Sequence, residues 1–149
     1  MKAKILIATD GSKYSKKAVD HGIQVAIKQG YDVLALYVIN MKSLELFALS
    51  HHDDITGYEG ANEMLRAEGE EALAYAVEKG KEAGVNVSTS IVRGYPAQEI
   101  IKQAEKEDVG LIVVGNLGKT GLEHLLMGSV SEEVVKKAPC PVLVVRGDV

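Results

Sequence analysis

The stretch Leu111-Ile-Val-Val-Gly115-Asn-Leu-Gly118-Lys-Thr-Gly-Leu-Glu-His-Leu-Leu-Met-Gly128-Ser129-Val-Ser-Glu132 decides how this chain folds. It opens on a continuous apolar run closed by glycine, the pattern of a strand covered on both faces. It ends on Gly128-Ser129 before a run with Val130 and Val134 on one helical face. Four further β-like runs lie outward from it: Ile5–Ala8, Val33–Ile39, Val85–Val92 and Val142–Val145. Helical spacing separates them. Ala18, Gly22, Val25 and Ala26 share a face, as do Leu65, Ala72, Leu73, Ala76 and Gly80, and again Ala97, Ile100, Ile101 and Ala104. Gly30, Gly84 and Gly110 stand where these helices should stop. Strands alternating with helices predict an α/β fold with a parallel sheet and helices on both faces.

The runs also predict the strand order. The first, second and fourth are apolar throughout, whereas Val85-Asn-Val-Ser-Thr-Ser-Ile91 alternates like an edge, and the fifth follows Pro139-Cys-Pro141. Placing the third and fifth at the edges gives an open five-stranded sheet in the order 3-2-1-4-5. The chain then reverses direction between strands one and four, and ligands of such sheets bind beyond the carboxyl ends at that point. A site is therefore expected after Ala8 and after Val114. Residues 41–60 lack a clean period and contain Ser50-His-His-Asp-Asp54, so a long mobile connection is expected there.

With 149 residues and 16.0 kDa, the chain reads as a single domain over 1–149, large enough to fold without disulfides or a structural metal. Its one cysteine, Cys140, has no internal partner. The net charge is −4, and seven acids against three bases between residues 59 and 84 account for it. No basic surplus exists to grip nucleic acid. No run is long and apolar enough to span a membrane, and the opening Met1–Asp10 is too short for a signal-peptide core, so a cytoplasmic location is expected.

Two polar, glycine-bearing turns converge on the expected switch point. Glycines after a buried strand let backbone approach a ligand, and a helix start at Gly128-Ser129 leaves amides free for an anion. Ser129 and Glu132 have capping-box spacing. On the neighbouring strand, Thr9-Asp10-Gly11-Ser12 offers a carboxylate for a ribose or amino group. Each turn alone also fits ordinary turn glycines and a helix cap, with Asp10 or Ser12 capping the first helix.

Gly115-x2-Gly118-x9-Gly128-Ser129 resembles the nucleotide-binding pattern of the universal stress protein family. Thr9-Asp10-Gly11-Ser12 and the ending from Ser129 to Val145 are similar to the same family, and the resemblance covers nearly the whole chain, least over 41–60. It implies a Rossmann-like α/β fold, a dimer, and ATP or AMP as ligand, with Mg or Mn accompanying the phosphates. By position, it implies that Asp10 lies on the adenine and ribose side, with Ala8 and Thr9 lining the pocket and Val38 meeting the adenine edge through its backbone. Gly115 and Gly118 would lie along the ribose and α-phosphate, and Gly128, Ser129, Val130 and Ser131 would hold the phosphates. Residues 116 and 117 are often polar or basic in the family; here they are Asn116 and the apolar Leu117, and Lys119 stands close enough to replace the missing charge.

The function expected is that of an adenine-nucleotide-binding regulatory protein of the stress response, a nucleotide-dependent switch. The alternatives are a slow metal-dependent ATPase, for which Asp10, His124 and Ser131 are the candidates, and a nucleotide-free dimeric interaction module. A phospho-acceptor receiver fits poorly, because Asp10 stands alone without an acidic cluster. His51-His-Asp-Asp54 reads as loop surface rather than a metal site, since adjacent residues do not converge on one ion. Because the fifth strand is an apolar edge, a homodimer through Val142, Leu143, Val144 and Val145 is expected.

Overall fold

The computed structural model describes residues 3–50, 55–119 and 124–147, with side chains described outside 47–50 and 55–58. Five strands, β1 (Lys4–Ala8), β2 (Asp32–Asn40), β3 (Val87–Gly94), β4 (Leu111–Gly115) and β5 (Val142–Val145), form one sheet in the order β3-β2-β1-β4-β5. Every pairing is parallel, with Ile7 opposite both Ala35 and Val113. The expected order is therefore the observed one.

Alternation within the central strands divides the core into two. Ile5 and Ile7 face α1 (Lys13–Gln29) and α3 (Ile55–Ala83), in a cluster with Val19, Tyr37, Leu73 and Ala76. Leu6, Leu36, Ile112 and Val114 face the opposite side, under α4 (Pro96–Lys106) and α5 (Ser129–Lys137), with Ile100 and Val134. Ile5, Leu6 and Ile7 are all 0% exposed, as a strand buried on both faces requires. Truncating any of them to Ala would cost about 2–5 kcal/mol.

Three local expectations need correction. Residues 41–50 are not an irregular connection but helix α2 (Met41–Ser50), and α3 already begins at Ile55. The Asn40 side chain accepts the Lys42 amide at 3.0 Å, so a helix start is capped where no strong period marks one. Leu44, the one deeply buried side chain among those described in it, anchors it on the α1–α3 side; residues 51–54, including the His-His-Asp-Asp run, lie outside the described residues. Second, Gly30 and Gly84 do take left-handed backbone, at φ 69° and 71°, but Gly110 does not. After α4 the left-handed residue is Asp108, φ 49°, a role aspartate tolerates better than most side chains. Third, Ser129 and Glu132 do not make a capping box. Gly128 is the N-cap of α5 and no side chain caps it; the Glu132 amide bonds the Gly128 carbonyl at 3.0 Å.

Candidate functional site

Two loops meet where β1 and β4 end. In the first, Gly11 takes φ 83°, a turn that a side chain would strain. That turn lets the Asp10 Oδ1 accept the Ser12 amide at 2.9 Å, and Ser12 in turn caps α1 by accepting the Ser15 amide at 3.2 Å. Thr9 is buried, its hydroxyl donating to the Ser15 hydroxyl at 3.0 Å. Thr9 and Ser12 therefore fix the loop, and the capping role weighed for Ser12 is the one it plays.

The second loop is organised by Asn116, which the sequence marks only by its place in the family pattern. Asn116 is 3% exposed and uses nearly everything it has. Its amide donates to the Val145 carbonyl at 2.9 Å, and its side-chain Nδ2 to Leu126 at 2.9 Å. Its Oδ1 accepts the Gly147 amide at 3.1 Å. Its carbonyl accepts both the Gly128 amide, at 2.7 Å, and the Ser131 hydroxyl, at 3.0 Å. One polar residue just past a buried strand thus binds β4, the end of β5, the glycine loop and the first turn of α5. Ser131 is buried with its hydroxyl turned into this network, also reaching the Gly128 carbonyl at 3.0 Å, while Ser129 and Val130 are exposed.

Asp10 joins the two loops. Its Oδ2 accepts the Lys119 amide at 3.0 Å, and a Cβ on Gly118 would stand 2.9 Å from that oxygen, so glycine permits the contact. The other glycines differ in why they are glycine. A Cβ at Gly115 would stand 2.8 Å from the Tyr14 carbonyl carbon on α1, so packing forbids a side chain there. At Gly128 the backbone is φ −84°, ψ 171°, open to any residue, and a Cβ would meet its nearest atoms at 3.7 Å, an ordinary contact. The fold does not need a glycine at 128. A bare backbone beside an uncapped helix start is what an approaching anion needs.

The Lys119 ammonium does not stand free. It pairs with Glu68 of α3 at 2.7 Å, both side chains being about half exposed at 46% and 44%, and lies 5.8 Å from the Tyr37 ring centre. Burial pulls the Lys119 pKa down, but the Glu68 hydrogen bond and the pull of Tyr37 and Glu68 outweigh it, and the net direction is upward. Burial pushes the Tyr37 phenol up, with Lys119 opposing. At this exposure the ion pair contributes only about 0.2–1 kcal/mol to stability. Glu68 had no signal in the sequence, lying 51 residues from its partner.

Ala8 and Val38 are half-buried on the α4–α5 face, one strand apart. Leu117 is 8% exposed and is a core residue of the loop rather than an open contact. His124 is exposed. Burial raises the Cys140 thiol pKa, the reverse of an activated thiolate. Among the described residues no three His, Cys, Asp or Glu side chains converge as a metal cage. No described helix is long and apolar enough to cross a membrane.

The order of strands is matched across nearly the whole chain. Residues 1–146 fit the model of the universal stress protein family. The chain belongs to that family. It is 42% identical to universal stress protein MJ0531 of Methanocaldococcus jannaschii over 96% of this chain and 81% of that one. It is 38% identical to universal stress protein YxiE of Bacillus subtilis, over 96% and 98%. The solved structure of MJ0577, also from M. jannaschii, superposes with a TM-score of 0.76 at 36% identity, covering 98% of this chain and 96% of that one. In this universal stress protein, then, Asp10, Asn116, Gly118, Lys119 and the first turn of α5 are brought together, with Ala8 and Val38 beside them.

Proposed function

We propose that this universal stress protein binds an adenine nucleotide, ATP or AMP, beyond the carboxyl ends of β1 and β4. The observation that carries the reading is Gly128: a residue kept bare where the fold accepts a side chain, next to an uncapped helix start. The phosphates bind the amides of Ser129 to Ser131, where the helix dipole adds attraction, the Gly128 amide being held by the Asn116 carbonyl. Asp10 has already accepted two backbone amides, and its remaining lone pairs face the ribose and adenine side. The glycine-serine pattern implies the same ligand through the family. Mg or Mn would come with the phosphates, bound through their oxygens.

The protein acts as a cytoplasmic stress-response switch, a homodimer paired through β5, with the state of the glycine loop read by a partner. Binding is favoured over turnover because two of the three groups available to hydrolysis are engaged: Asp10 holds amides and Ser131 donates inward. Calorimetry with ATP, AMP and GTP tests the ligand. ATP and AMP should bind, and GTP more weakly, because guanine lacks the amino donor at position six and leaves acceptors unpaired. Equal affinities, or no rise in melting temperature with any adenine nucleotide, would overturn the reading.

A further inference from the structure

Lys119 is the only lysine or arginine between Gly115 and Gly128, and it is the cation nearest in sequence to the phosphate-binding glycines. It is held twice. Asp10 fixes its backbone at 3.0 Å and Glu68 takes its ammonium at 2.7 Å. Asp10, Glu68 and Lys119 together carry one more negative charge than positive. Such a site recognises phosphate through backbone amides while the Lys119 ammonium is already paired with a helix on the other side of the sheet.

We propose that Glu68 sets how strongly the cleft favours additional phosphates, by sequestering Lys119. This rests on the adenine-nucleotide reading above and deepens it. With Glu68 in place, each further phosphate brings negative charge to a loop whose own ammonium, Lys119, is already paired. Without that carboxylate, Lys119 becomes available to whatever anion lies in the loop, and the benefit grows with ligand charge. Glu68 is thus a specificity-determining residue. It acts through Lys119 and touches no part of adenosine.

The test is calorimetry at low ionic strength with adenosine, AMP and ATP, on wild type, Glu68→Gln, Lys119→Met and the double variant. Glu68 is on an exposed part of α3, and Gln matches Glu in helix propensity, so the variant folds. Glu68→Gln should leave adenosine unchanged, tighten AMP about twofold and tighten ATP about fivefold, the range of a half-exposed ion pair. High salt should shrink these gains. In the Lys119→Met background the Glu68→Gln gain should vanish. A gain equal for all three ligands, no gain with ATP, or a gain that survives without Lys119 would each overturn the role of Glu68. Those results differ from failure of the underlying reading, in which no adenine ligand binds wild type and both statements fall together.

Discussion

Gly128 and Gly115 provide a paired experiment, since both belong to the nucleotide pattern but only one is required by packing. In Gly128→Ala the new methyl meets the Asn116 oxygen and Leu117 Cα at 3.7 Å, with backbone at φ −84° that any residue adopts. Loss of unfolded-state freedom stabilises by about 0.4–1 kcal/mol. Alanine is a poorer N-cap than glycine by roughly 0.5–1 kcal/mol. The two nearly cancel, so the melting temperature should move by no more than about 2 °C. In Gly115→Ala the methyl stands 2.8 Å and 2.9 Å from the Tyr14 carbonyl carbon and oxygen, helix backbone that cannot step aside. Such overpacking costs about 1–3 kcal/mol, or roughly 3–10 °C in a domain of this size. Binding should show the opposite ranking of causes. Saturating ATP at 100 times its Kd should stabilise wild type by about 2.7 kcal/mol. Gly128→Ala keeps phosphate from at least one amide, a charge-assisted bond of about 1.5–3 kcal/mol, so affinity falls roughly tenfold or more. Thermal melts with and without ATP, followed by calorimetry, read both quantities on one preparation. Gly128→Ala with wild-type affinity would refute the reasoning, and so would a loss of several degrees without ligand.

Other positions give independent checks. Asn116→Ala leaves the part-buried Leu126 carbonyl and Gly147 amide without this partner and should lower stability by about 1–3 kcal/mol in urea; a loss under about 0.5 kcal/mol would remove it from the centre of the network. On β5, Pro141 and Val145 direct their carbonyls at β4, so by parallel alternation Val142 and Val144 present theirs to the open edge. Val144→Pro should therefore split a dimer without breaking the β4 ladder, while wild type remaining at 16.0 kDa by light scattering at high micromolar concentration would end that proposal. The Tyr75 phenol is pushed up to about 12 by burial and by its bond to Asp20. The folded state thus holds this proton more tightly, and stability should fall as pH rises from about 10 toward 12, a slope that Tyr75→Phe reduces.

Periodicity made the sheet legible. The continuous runs at Ile5–Ala8 and Leu111–Val114 can be buried on both faces only in the middle, and the alternation around Ser88 and Ser90 belongs at an edge, as β3 is. Gly30 and Gly84 announced their helix ends for a physical reason, the left-handed exit. Asp108 did not, because aspartate takes that conformation only when its surroundings demand it. Helix α2 was hidden because, among its described residues, its support is one cap, Asn40, and one deeply buried residue, Leu44, too little to stand out as a repeat. At the site, the glycines and Asp10 were readable, whereas the division of labour among them was not. Gly115 answers to Tyr14, Gly118 to Asp10, and Gly128 to nothing within the described residues nearer than 3.7 Å. The partnership of Lys119 with Glu68 exists only once α3 has packed beside β2.

Asn116 ties two distant parts of this molecule together. Its backbone and side chain grip Val145 and Gly147 at the sheet's outer margin and, from the same few atoms, Gly128 and Leu126 in the loop. The cleft and the margin therefore share a pivot, with no intervening chain of contacts to dissipate a displacement. Any occupant that tugs this pivot at one end must work against whatever covers the other. Reciprocity follows: a surface docked along β5 would retune affinity in the cleft by the same factor with which a bound ligand retunes the docking.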